Sequence, residues 1–212
     1  TLTNGNVHGV IVLNVYNERL LRLLAETQIP KVFLDTSSLV APDELNGDLL
    51  LMESRTSVRR ITCHLLEQGR TLPGFIGDIS YAQSNRERYE GFCQALADAG
   101  KKVDSSLCLT TPLGIDTYRE EIDTFLSSLS RMPDAFVCAS DYVACILMQL
   151  LEKRGLRVPE DVAVSGFDNN TEDLLAEHLT TVQVFNEELG ARLALQILYR
   201  IKYPNTPHEI TY

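Results

Sequence analysis

Short apolar strands alternate with amphipathic helices along this chain, and the alternation predicts an α/β protein with parallel sheets. Three observations carry that prediction. In the stretch from Pro133 to Gly190, an apolar run from Ala135 to Ala139 stops at Ser140-Asp141, and a helix-period segment follows to Gly155. A second apolar run, Val162 to Gly166, then breaks at Phe167-Asp168-Asn169-Asn170. Near the N-terminus, the β-branched run Gly9 to Leu13 meets a polar break at Asn14 to Asn17 and then a helix face of Leu20, Leu21 and Leu24. The same alternation continues between them, with helices of ten or more residues, which is the connectivity of crossover units. Polar residues stand where the strands end, the edge of a parallel sheet outside which ligands bind.

The elements follow in order. Gly9 to Leu13 reads as a strand covered on both faces. Pro30 stops the first helix, Val32 to Asp35 forms the next strand, and Asp48 to Met52 a third. Val58, Ile61, Thr62, Leu65 and Leu66 have helical spacing, with Gly69 as the stop. Phe75 to Gly77 is a strand, and Tyr89, Phe92, Cys93 and Leu96 stripe a helix ending at Gly100. Leu107 to Leu109 is a strand, and Asp116 is placed to cap the helix of Tyr118, Ile122, Phe125, Leu126 and Leu129. Val143 to Leu151 stripe the helix after Ser140, and Leu189, Leu193, Ile197 and Ile201 line the last one. No repeat, low-complexity tract or Gly/Ser-rich linker separates domains, so two subdomains would be joined by short crossings near Met52 to Arg55 and Val184 to Asn186.

Composition narrows the function classes. A chain of 212 residues fits one or two domains with a real core. The net charge of −10 argues against nucleic-acid binding by this chain itself, because such surfaces need clustered Lys and Arg. No apolar run approaches the length of a spanning helix, and Thr1-Leu2-Thr3-Asn4-Gly5 has neither the basic nor the apolar region of a signal peptide. No membrane partner is therefore expected. The five cysteines include no CxxC pair and lie among apolar residues, as reduced core thiols in a cytoplasmic protein do. His8, His64, His178 and His208 stand apart from one another and from paired cysteines, so no metal site is expected. No Walker A, GxSxG, HExxH or GxGxxG pattern occurs, and neither an enzyme nor a cofactor is expected.

Asp35 and Asp168 each close an apolar strand, and Arg88 lies near the start of a helix. Two carboxylates accept from hydroxyls while a planar guanidinium donates in a fork, a set suited to a sugar or nucleoside. The same residues have plainer uses: an Asp after a strand also caps a helix or orders a turn, and Arg88 has surface partners in Glu87 or Asp98. Tyr81 and Ser84 precede the Arg88 helix and would line the same cleft. Ser140 offers a hydroxyl to a ligand; Ser140 or Asp141 also suits the N-cap of the helix, and for Asp141 capping is the better reading than ligand contact.

Ser140-Asp141, Gly155 to Val162, Gly166-Phe167-Asp168 and Leu179 to Val182 stand in the order and spacing of a family pattern. So do His8 to Val12, Phe75-Ile76-Gly77, Arg86 to Phe92 and Ala95 to Gly100. Through them the chain resembles the effector-binding domain of LacI-family transcriptional regulators over most of residues 5 to 195. The resemblance implies two parallel-sheet subdomains flanking a ligand cleft, of the type I periplasmic-binding-protein-like plan. The expected boundaries are 1–53 with 185–212 for the N-terminal subdomain, incomplete in this chain, and 54–184 for the C-terminal one. By the resemblance Asp35, Arg88 and Asp168 match ligand-contacting positions. Ser140 stands where relatives often have Asn, Val184 where several have Gln, and Pro112 near an aromatic position, so the particular ligand is left open. The implied function is to sense a small carbohydrate-like effector and to dimerise. Operator DNA would be bound only through an N-terminal helix-turn-helix domain outside this sequence. A periplasmic-type sugar-binding protein and a small α/β enzyme are the alternatives.

Overall fold

A computed structural model describes residues 7–114, 116–169 and 179–212. Thr1 to Gly5, Asn170 and His178 lie outside the described residues. The chain separates into two compact units. One comprises 1–53, 81–84 and 185–212, and the other 54–80 and 85–184.

The first unit is a four-stranded parallel sheet in the order β1-β2-β3-β8. Its strands are β1 (Val10–Leu13), β2 (Lys31–Leu34), β3 (Asp48–Leu50) and β8 (Ile210–Thr211). Alternate residues of each strand point to opposite faces. Phe33, Leu49 and Val12 therefore meet Leu21 of α1 (Glu18–Ala25), while Val32 and Leu50 meet Leu193 and Ile197 of α6 (Asn186–Lys202). Asn17 caps α1 by accepting from Leu20 N at 3.0 Å. That helix ends at Ala25, before Pro30 is reached, and a 3-10 turn over Pro42–Leu45 leads into β3.

Buried polar groups tie α6 to the sheet. Arg200 grips Asp48 in a fork, Nη2 to Oδ1 at 2.5 Å and Nε to Oδ2 at 3.0 Å. Gln196 and the Glu209 amide also donate to Asp48, at 2.8 and 3.0 Å. Burial pushes the Asp48 carboxyl up, but these hydrogen bonds outweigh it and hold it below the usual value of 3.8.

The second unit is a parallel sheet in the order β5-β4-β6-β7. It contains β4 (Pro73–Ile76), β5 (Cys108–Leu109), β6 (Ala135–Cys138) and β7 (Ala163–Ser165). Helices α4 (Tyr118–Ser128) and α5 (Asp141–Lys153) pack on Ile76, Phe136 and Cys138. On the other face α2 (Arg55–Glu67) and α3 (Gln83–Asp98) bury Val58, Phe92 and Leu96 against Phe75 and Val137. A Cβ at Gly91 would collide with the Arg55 carbonyl, so a glycine is needed for α2 and α3 to pack this closely.

Three sequence expectations change. β1 is not covered on both faces: within its sheet it is the edge strand, with Ile11 38% and Leu13 50% exposed. Thr117, not Asp116, is the N-cap residue of α4, and its hydroxyl instead donates to Glu121. Of the two caps expected for α5, Ser140 is the one used, accepting from Val143 N at 3.3 Å. The strand placed at Leu107 to Leu109 begins one residue later, after a 3-10 turn at Ser105–Leu107. No helix among the described residues is long and apolar enough to cross a membrane.

Candidate functional site

In the second unit Arg88, Asp168 and Ser140 gather near the carboxyl ends of β6 and β7. Arg88 extends from the second turn of α3 and is buried. Its guanidinium lies over the Phe167 ring, 3.7 Å from the centroid, a cation–π contact. Nη1 donates to the Ala139 carbonyl, and Nη2 faces Asp168 Oδ1 at 3.8 Å. Three contacts from two chain segments thus fix the plane of the fork. The separation of 3.8 Å is an ion pair without a direct hydrogen bond, a spacing that a ligand hydroxyl or a water bridges.

Asp168 stands where β7 gives way to a turn with two successive positive φ values, 114° at Asp168 and 51° at Asn169. Non-glycine residues rarely adopt such angles, and they persist where surrounding contacts impose them. Asp168 N donates to Val182 O at 3.0 Å, and Asp141 N donates to Phe167 O at 2.8 Å. Thr181 donates to Asp141 Oδ1 at 2.6 Å and accepts from Asn169 N at 3.3 Å. A side chain at Gly166 would strike Asp141 Oδ1, so glycine alone lets this turn close on α5. Burial raises the Asp168 carboxyl to about 6, with the Arg88 charge opposing the rise and Asp141 adding to it.

Asp35 and Ser84 gather in the first unit. Asp35 follows β2 with φ 61° and is buried. Its Oδ2 accepts from Ser84 Oγ at 2.6 Å and from Tyr16 OH at 3.5 Å. Oδ1 accepts from the amides of Thr36 at 2.8 Å and Ser84 at 3.3 Å. The carboxylate therefore orders the turn after β2 and caps the start of α3, the plainer of its two sequence readings. Tyr81 is half-exposed and packs its ring on Tyr16, centroids 4.4 Å apart.

Sequence reasoning missed Phe167, Asp141 and Thr181. Phe167 stands at the break after an apolar run, and only its position beside Arg88 makes it a platform. Asp141 and Thr181 are 40 residues apart, a pairing no local spacing signals. Asp78 also escaped notice, although it closes β4 as Asp35 closes β2; it accepts from Ser80 N at 2.8 Å and Leu113 N at 3.3 Å. None of the five cysteines, all among the described residues, is in a disulfide. Burial pushes the Cys138 thiol up and raises Cys108 to about 11, so both stay protonated at neutral pH.

Parallel α/β sheets with polar clusters near the strands' carboxyl ends follow the plan on which small-molecule sites are built. The profile of the periplasmic binding protein-like domain matches residues 62–211. HTH-type transcriptional repressor PurR of Actinobacillus pleuropneumoniae serotype 3 is 30% identical over 210 residues, which are 98% of this chain and 61% of that protein. HTH-type transcriptional regulator DegA of Bacillus subtilis is 31% identical over 170 residues, 79% of this chain and 48% of that protein. Among solved structures, the transcriptional regulator CelR–cellobiose complex superposes with a TM-score of 0.86 at 27% identity, covering 99% of this chain and 64% of that one. A LacI family transcriptional regulator from Enterococcus faecium with bound ribose gives 0.76 at 21% identity, covering 96% and 75%, and shares the fold. The chain belongs to the periplasmic binding protein-like domain family, as an effector-binding domain of the LacI-regulator type. It spans about three fifths of the length of the PurR relatives it matches.

Proposed function

We propose that this chain is the effector-sensing module of a LacI-like transcriptional regulator and that its effector is a small, neutral, carbohydrate-like molecule. The observation that carries the reading is the Arg88–Asp168 pair, held 3.8 Å apart with the fork lying on Phe167. A hydroxyl both donates and accepts, so one hydroxyl satisfies Asp168 and Arg88 together. A phosphate would meet Asp168 and the nearby Asp141 as like charges. The similarity to a cellobiose-bound regulator supports the carbohydrate class, and relatives named as transcriptional repressors support the regulatory role.

Arg88, Asp168 and Ser140 are the proposed ligand contacts in the second unit, and Tyr81 and Ser84 those in the first. Asp35 is included with them as the carboxylate that positions Ser84. In the complete protein, two copies would pair, and the effector would alter operator binding by an attached DNA-binding domain. A ligand does this only by binding one conformation better than another.

A thermal-shift screen with three arms, sugars, sugar phosphates and purine bases, tests the ligand class. Stabilisation by neutral sugars is expected. A response to purines alone, with none to sugars, would overturn the carbohydrate assignment.

A further inference from the structure

At the amino ends of β2 and β3 the first unit holds a small cavity of about 80 Å³, with Thr27, Lys31, Asn46, Arg200 and His208 in its wall. Lys31 opens β2 and Asp35 follows that strand, so the cavity lies at the opposite end of β2 from the proposed effector contacts of this unit.

Lys31 is 3% exposed. Its Nζ donates to the carbonyls of Thr27 at 2.9 Å and Asn46 at 3.1 Å. These two bonds tie the chain just after α1 to the turn before β3, a structural use for two of the three ammonium donors. The third donor has no partner among the described residues. Burial pushes the ammonium below its usual 10.5, and no carboxylate opposes that shift.

Arg200 is fully committed. Besides its fork to Asp48, Nη2 donates to Pro207 O at 2.9 Å, and Nη1 donates to Thr206 O at 2.6 Å and Thr206 Oγ1 at 3.0 Å. These bonds hold the segment before β8, which carries His208 to the cavity wall. The exposed His208 has no hydrogen-bond partner among the described residues.

The charges around the cavity are therefore uneven. Asp48 cancels Arg200, while Lys31 keeps a buried positive charge faced by neutral carbonyls. A buried charge without a counter-charge is costly, and an anion in the cavity removes that cost. A cation would meet Lys31 and Arg200, and a neutral hydroxyl would supply no counter-charge. Three waters of the liquid occupy about 90 Å³, so the space suits a single oxyanion group. Donors reach it from β2 and from the segment ahead of β8. A tetrahedral anion offers oxygens in several directions, whereas a carboxylate offers two in one plane.

We propose that this cavity is a phosphate site, with Lys31 and His208 donating to the phosphate oxygens. The free ion and a small phosphate monoester share the chemistry it recognises. The site is separate from the carbohydrate reading of the Arg88 cluster and does not rest on it.

Calorimetric titration with inorganic phosphate and with methyl phosphate, at an ionic strength fixed by sodium chloride, tests the proposal. Saturable binding of inorganic phosphate is expected, and Lys31→Gln and His208→Gln should each weaken it about tenfold. Binding of methyl phosphate as well assigns the site to phosphate esters too, and binding of inorganic phosphate alone assigns it to the free ion. Lys31→Gln removes a buried tie, so the exposed His208→Gln carries the test if the lysine variant does not fold. A second readout locates the ion. Burial and the charges of Arg200 and Lys31 hold the His208 imidazole below its usual 6.5, with Asp48 opposing. A bound phosphate reverses that field, so the His208 ring signals in proton NMR, identified by their loss in His208→Gln, should titrate at higher pH in saturating phosphate than in chloride. No saturable binding of inorganic phosphate, an unchanged affinity in a folded His208→Gln protein, or an unshifted His208 titration overturns the site.

Discussion

Among the proposed ligand contacts, Asp168 has a titration that can be followed. Its folded-state value of about 6 lies above the ordinary 3.8 of an aspartate, with burial as the main cause. A raised value means that the folded protein holds this proton more tightly than the unfolded chain. The stability linked to that proton is fully present below pH 3.8 and is lost as pH rises through about 6. Asp168→Asn should remove this loss, so its stability relative to the parent should increase between those limits, as urea unfolding at a series of pH values would measure. Effector binding has the opposite dependence. Only the carboxylate accepts hydrogen bonds through both oxygens, so affinity should be level above pH 7 and fall as pH drops below about 6. Titrations at pH 5, 6 and 7.5 check this. An affinity independent of pH would mean that Asp168 does not contact the ligand.

At the scale of elements, the Asp48–Arg200 fork is a buried polar link joining α6 and the approach to β8 to β3. Both side chains are almost wholly buried, so removing one partner strands the other charge. Arg200→Ala should lower the unfolding free energy by about 3–5 kcal/mol, read from denaturant midpoints at constant slope. Asp48 is held below 3.8, so its contribution is present above that pH and is lost as pH falls through the depressed value. The strands and helices were legible in the sequence because apolar runs of four or five residues alternate with helix-period stripes. Elements written in local pattern, such as β6, α5 and β7, lie within a residue or two of where the pattern puts them. Features decided by neighbours remote in sequence were not legible. The run Val10 to Leu13 is apolar throughout, yet composition says nothing about which strand has a neighbour on each side. Capping at α4 and α5 turned on one-residue differences between adjacent polar groups, Asp116 against Thr117 and Ser140 against Asp141. In the candidate site, Arg88 and Asp168 were identifiable as types at strand and helix ends. Their shared platform, Phe167, required the register that the fold supplies.

For the whole molecule, the proposal makes this chain a sensor whose output lies in a DNA-binding domain. With 19 basic against 29 acidic residues, the chain itself should not bind operator DNA at physiological salt. Gel-shift titration of the isolated chain checks this, and tight, salt-sensitive binding would contradict it. In the intact regulator, a homodimer is expected, with effector changing operator affinity, and sedimentation with and without effector tests the pairing. The effector is proposed to be recognised at the Arg88–Asp168 cluster. The most direct measurement is calorimetric titration at pH 7.5 of a sugar that stabilises the protein, comparing the parent with Arg88→Ala. Loss of the fork's charged hydrogen bonds should weaken binding by about 1.5–3 kcal/mol, with the melting temperature of the free protein reported alongside. An unchanged affinity in a folded Arg88→Ala protein would contradict the account and place the effector elsewhere.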